Sequence, residues 1–317
     1  MSTVSPDQHM SWTIEGNKVC QEGSRIQRGE NSMKRKLKKW TGSVMLVAVA
    51  SIATVSTTQA ATFTITDQNS RASFDTTSQN GMYEWVVDGV NHLSQEWFWY
   101  RTGSMTSELS VDTLDILVQG TTDTNFDGDH DTFYIRYGDL NDRQVPAFTI
   151  ELAFRIDGAL NGTGISDIGE QITITNFSDN DLDIKFFQYN DADLNGGSTD
   201  TSINIMGSPE NTARQEDTGV QVHETVVTPA PNHYEAGLFS ATRDSLNDNN
   251  TTTLNDVNSV AGPGDFTWAF QWDILLDSEE AFQISKDKNI AAVPAPAAAL
   301  LGVLGLALVR VTKRRPN

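Results

Sequence analysis

Apolar and polar positions alternate with a period of two along most of the chain from residue 83 to residue 284. Phe148, Ile150, Leu152, Phe154 and Ile156 form the longest such series, with Thr149, Glu151, Ala153 and Arg155 on the opposite face. Tyr83, Trp85 and Val87 lead into an Asp88-Gly89 turn and then Val90-Asn91-His92, a hairpin signature. Phe133, Ile135 and Tyr137 repeat the alternation, as do Ile172 and Ile174. The stretches Ile184–Tyr189, Ile203–Ile205 and Val220–Val227 read the same way. Trp268, Phe270, Trp272 and Ile274 share one face, and Phe282 and Ile284 close the series. No stretch between residues 61 and 290 sustains an apolar period of 3.6 over three turns. The pattern predicts roughly ten to a dozen strands joined by Asp/Asn/Gly loops, hence an all-β antiparallel sandwich, with a jelly roll as one form of it.

The two ends break this pattern. Met33 precedes Lys34, Arg35, Lys36, Lys38 and Lys39, then an apolar run from Val44 to Val55, then small and polar residues up to Ala60. That order is a secretory signal peptide over residues 33–60, with cleavage by a signal peptidase between Ala60 and Ala61. Residues 1–32 carry no periodicity and read as an over-extended start or a disordered leader. At the other end, Val293-Pro294-Ala295-Pro296 precedes an apolar run, Ala297–Val309, and then Arg310, Lys313, Arg314 and Arg315. Residues 297–311 would rise about 22 Å as a helix, short for a ~30 Å hydrocarbon core but within reach of a thinned bilayer. The basic residues place the extreme C-terminus in the cytoplasm, so both ends predict that residues 61–290 lie outside it.

The C-terminal arrangement of Val293, Pro294 and Pro296, one helix and a basic cluster resembles the PEP-CTERM sorting signal, over residues 291–317. Ala295 stands where that family most often has Glu. The resemblance implies recognition by an exosortase in the inner membrane, transient anchoring there, and release to the cell surface or extracellular matrix. It supplies an address and no activity. The central region is similar to uncharacterised domains that precede such tails.

Composition narrows the function. Residues 61–290 hold 38 acidic and 10 basic side chains, a net charge of −28. Such a field repels nucleic acid, which is excluded as a partner, and favours cations. The single cysteine, Cys20, lies before the signal segment, so the domain carries no disulfide.

Three groups of residues could carry chemistry. Asp123, Asn125, Asp127, Asp129 and Asp131 place oxygens at alternate positions with Gly128 sixth, the first part of a Ca²⁺ loop. Tyr134 replaces the bidentate Glu of an EF-hand, so a distant carboxylate would have to complete the shell. A plain solvated turn is the alternative. Asp191, Asp193 and Asn195 form a shorter version of the same spacing. Trp97, Phe98, Trp99, Tyr100 and Arg101 read either as a strand packed on both faces or as a sugar-stacking platform formed by Trp97, Trp99 and Arg101. His92, His130, His223 and His233 lack zinc-ligand spacing, and no nucleophile elbow is present.

Taken together, these features point to a non-catalytic, Ca²⁺-stabilised surface or matrix protein, leaning away from an enzyme. A carbohydrate-binding module for exopolysaccharide is the first alternative, and a polysaccharide-processing hydrolase the second.

Overall fold

A computed structural model describes residues 62–141 and 144–293. The signal segment, Ala60 and Ala61, Pro294, Pro296 and the C-terminal apolar run lie outside the described residues; Val293 is the last within them. Among the described residues, no helix is long and apolar enough to cross a membrane.

The chain begins with β1 (Thr62–Asp67), β2 (Ser70–Asp75), β3 (Gly81–Val87), β4 (Val90–Asn91), β5 (Gln95–Thr102) and β6 (Leu109–Ser110). Then come β7 (Asp115–Thr122), β8 (Thr132–Gly138), β9 (Phe148–Gly158), β10 (Ser166–Asn176) and β11 (Leu182–Asp191). They are followed by β12 (Asp200–Gly207), β13 (Glu210–Asp217), β14 (Val220–Thr228), β15 (His233–Leu238) and the only α-helix described, α1 (Ala241–Leu246). Last come β16 (Ser259–Gly264), β17 (Phe266–Leu276) and β18 (Ala281–Ala292).

These strands form two nine-stranded sheets. The first runs β1-β2-β3-β5-β11-β17-β15, with β4 beside β3 and β6 beside β5; the second runs β16-β12-β13-β14-β18-β10-β9-β8-β7. Pairing is antiparallel except at β3 and β5, which touch in parallel at Gly81 and Glu96. Gly81 sits at φ +56°, and a Cβ there would lie 2.2 Å from the Trp97 ring, so only glycine fits.

The antiparallel sandwich expected from the alternation is the observed architecture. The jelly-roll form is not. A jelly roll has about eight strands in two Greek keys, whereas here consecutive hairpins build meanders: β7 to β10, β12 to β14, and β1 to β3. The strand number is also higher than expected. Several strands bury little apolar surface of their own; β13 contributes only Ala213 to the hydrophobic core, so alternation does not announce it.

The inner faces meet through aromatic side chains. Phe74 stacks on Phe133 with centroids 4.4 Å apart, and Tyr100 meets Phe148 edge-on at 5.6 Å. Among them lies a sealed ionic group. Glu96 of the first sheet faces Lys286 and Lys288 of β18 in the second, whose neighbouring strands bring Glu170 and Glu224 beside them, all five side chains being at most 1% exposed. Lys286 Nζ lies 2.6 Å from Glu170 and 3.3 Å from both Glu96 and Glu224. Gln188 and Trp268 close it by donating to Glu224 at 2.9 and 3.0 Å.

Candidate active site at the acidic end of the first sheet

Side chains alternate along β11, so Phe187, Tyr189 and Asp191 point away from the sandwich interior. Tyr189 pairs with Trp97 of β5 and Ala269 of β17, which share that outer face. The face is covered rather than open. The segment around α1 lies over it and buries Leu246 and Leu254.

Asp191 ends β11 and is 2% exposed. Asp193 follows two residues later, and Asp265 enters from the turn between β16 and β17. Each of these three offers a carboxylate oxygen within 4.8 Å of the other two. One oxygen of Asp191 and one of Asp265, Oδ1 in each, is buried without a hydrogen-bond partner. Burial pushes Asp191 up to about 8, with Asp193 and Asp265 adding to the rise and Arg243 opposing it. Burial also raises Asp193, with Asp265 contributing, and raises Asp265 against the pull of Arg243. The physical cause is crowding: three like charges in a poorly hydrated corner disfavour full ionisation.

Arg243 is the cation of this corner. It projects from α1, donates to Gln95 Oε1 at 3.2 Å and stacks over the Phe239 ring at 4.7 Å. Tyr189 and Thr267 bring buried hydroxyls to the same place; burial raises the Tyr189 phenol, and Asp191 is the next cause. Behind the trio, Asp200 is pushed up to about 7, mainly by burial. It lines an open cleft of about 590 Å³ with Thr199, Thr201, Asp217, Thr218 and Pro263. That size falls in the range of small-molecule sites.

The residues singled out in the sequence are distributed differently. Asp191 and Asp193 do come together, but Asn195 turns away to donate to Asp217 at 2.9 Å and to the Thr218 carbonyl. Asp265 takes the third place. It is 72 residues beyond Asp193, and only the pairing of β11 with β17 brings the two near, so no local spacing signals it. Arg243 likewise reaches the corner from a distant segment, α1, and no local spacing signals it.

The loop from Asp123 to Asp131 does not present converging free carboxylates. Asp123 accepts from the Phe126 and Gly128 amides at 2.6 and 3.0 Å. Asp127 accepts from the Asp129 amide and from Asn125, and Asp131 from the amide and hydroxyl of Thr124. These are the hydrogen bonds of a self-stitched turn. Among the described residues, the acidic group with ligand-like spacing is the Asp191 trio.

Trp97 and Trp99 are buried, so they offer no stacking face to a sugar. The Trp97 indole donates to Ser110 at 2.9 Å and to Asp112 at 3.0 Å, and Trp99 donates to Asn247 at 3.1 Å. Arg101 is held by Glu108 at 2.7 Å. The physical reason is cover: β6, the turn after it and the α1 segment supply a second apolar layer that the strand pattern alone does not announce.

No family model matches the chain, and no curated protein matches it. Its fold does match solved structures. A bacterial glucoamylase solved with acarbose superposes with a TM-score of 0.50 at 10% identity, covering 78% of this chain and 34% of the glucoamylase. The chain thus spans about a third of that protein's length. A protein of Synechocystis sp. PCC 6803 gives 0.45 at 9% identity, covering 74% and 97% of the two chains. A galactose mutarotase related enzyme from Lactobacillus acidophilus gives 0.42 at 8% identity, covering 74% and 97%. These are likenesses of fold.

The fold shared with the glucoamylase corrects the expectation of a non-catalytic surface protein and the leaning away from an enzyme. A glucoamylase carries a sandwich of this fold, and its end here gathers carboxyls raised by burial and by one another. No local motif marks the group, because Asp191 and Asp265 lie 74 positions apart in the chain.

Proposed function

We propose that the domain processes a carbohydrate at the acidic end of the first sheet. The observation that carries this reading is the convergence of Asp191, Asp193 and Asp265 from separate segments, with two buried oxygens unpartnered, beside Arg243. Perturbed carboxyls gathered in a recess with a fixed cation mark functional sites more often than structural ones. Sugar hydroxyls suit such a site because they donate to carboxylates and accept from guanidinium. The hydroxyl-lined cleft beside Asp200 and Asp217 extends the surface available to a polymer. The substrate class is a polysaccharide, and hydrolysis is the reaction type. The end signals support delivery of the domain to the cell surface or matrix, by a signal peptidase and then an exosortase, where exopolysaccharide would be met.

The test is release of reducing ends from a panel of neutral and acidic polysaccharides by the full-length protein. At least one should be cut. Arg243→Ala should lower kcat/KM by about 10- to 100-fold, the loss of one charge-assisted contact of roughly 1.5–3 kcal/mol. A folded protein that releases nothing from any polysaccharide contradicts the reading.

A further inference from the structure

Two of the three carboxylates at the end of β11 hold an oxygen that is buried and without a hydrogen-bond partner. Buried acceptors are almost always satisfied in folded proteins, and an exception calls for a bound species to account for it. Asp191 is 2% exposed, and one of its carboxylate oxygens lies within 4.8 Å of an oxygen of each of the other two carboxylates. Arg243 does not complete the corner, since its Nη1 is directed to Gln95 at 3.2 Å. Fully ionised, the three carboxylates would outweigh the one offset cation by two charges, a deficit that a single divalent ion would fill.

We propose that Asp191, Asp193 and Asp265 bind one Ca²⁺ ion. The donors are all hard oxygens, the set that Ca²⁺ and Mg²⁺ favour over softer metals. Oxygens bound to one Ca²⁺ lie at most roughly 4.6–5.2 Å apart, twice the ~2.3–2.6 Å bond, and the three carboxylate oxygens, all within 4.8 Å of one another, meet that limit. Mg²⁺ would draw them to about 4.2 Å and would demand octahedral geometry. Asp193 and Asp265 are half-buried, which leaves an entry path and room for water or sugar hydroxyls in the remaining positions. The ion site stands on its own ligands; its role in holding a sugar rests on the carbohydrate reading above.

Calorimetric titration of Ca²⁺ into the metal-free, full-length protein at pH 7.5 tests this. One ion per chain is expected, with a dissociation constant no weaker than the millimolar range of extracellular sites. Asp265→Asn should weaken binding at least tenfold. The paired substitution Asp123→Asn with Asp127→Asn, in the self-stitched turn, should leave it unchanged. Asp193→Asn, on a different segment, gives a second reading should Asp265→Asn fail to fold, and circular dichroism of each calcium-free variant settles that point. Absence of calcium heat in the wild-type protein overturns the site, as does binding lost in the Asp123/Asp127 variant and retained in Asp265→Asn. Calcium binding without turnover of any polysaccharide keeps the ion site and sinks the carbohydrate reading. Turnover that persists in a chelator, with no calcium binding, does the reverse.

Discussion

Glu170 and Asp167 lie close together on β10, one sealed inside the sandwich and one half-buried on its outer face. Burial pushes Glu170 from 4.5 up to about 7; Lys286 opposes the rise, and Glu224 adds to it. Three carboxylates share two ammonium groups in that core, so a retained proton relieves the imbalance. Asp167 rises from 3.8 to about 6 through burial and then through Asp287 on the neighbouring strand. Both groups hold a proton more tightly folded than unfolded. Their contribution to stability is therefore complete below about pH 4 and is lost as pH rises through about 6 and about 7. The melting temperature of the calcium-free protein should fall between pH 5 and pH 8, and Asp167→Asn should flatten part of that fall. A melting temperature that rises across this range would count against both assignments. None of this was legible in sequence, where these acids look like the other charges of a β-strand and their inward or outward facing gives no hint of a partner.

At the scale of elements, β5 shows what alternation can and cannot convey. Its residues Gln95–Tyr100 are all buried, because one face meets the second sheet and the other is covered by β6 and the α1 segment. A run such as Trp97-Phe98-Trp99-Tyr100 is what a strand buried on both faces requires, but the same letters suit an exposed aromatic platform. The deciding element, α1, has only six residues and no helical periodicity to betray it. Trp99→Ala should destabilise the domain by about 3–5 kcal/mol, the usual cost of deleting a fully buried Trp or Phe. Denaturant unfolding measures that loss. Carbohydrate binding by the folded fraction should not change, because the ring is out of a sugar's reach; a selective loss of affinity without a loss of stability would restore the platform. β9 and β17, of 11 residues each, are readable in the same sequence because each carries five or more residues of clean or nearly clean alternation.

Over the whole molecule, fold class followed from the period of two, while strand number and sheet order did not. Polar strands such as β13 are held by their neighbours rather than by their own apolar residues, and the insertion of β18 between β14 and β10 is a long-range pairing. The functional end is of the same kind. Asp191 and Asp193 were visible as a short acidic spacing, but their partners Asp265 and Arg243 arrive through the sheet, so the site exists only in the folded chain. The proposed function requires that a polysaccharide be engaged where these residues meet. Hydrogen–deuterium exchange of the full-length protein, with and without a polysaccharide that it cleaves, tests this directly. Added polymer should slow exchange in the segments 191–202, 239–247 and 261–266, and leave β7 and the turn from Asp123 to Asp131 unchanged. Protection confined to that turn or to the second sheet, with none at the end of β11, would contradict it.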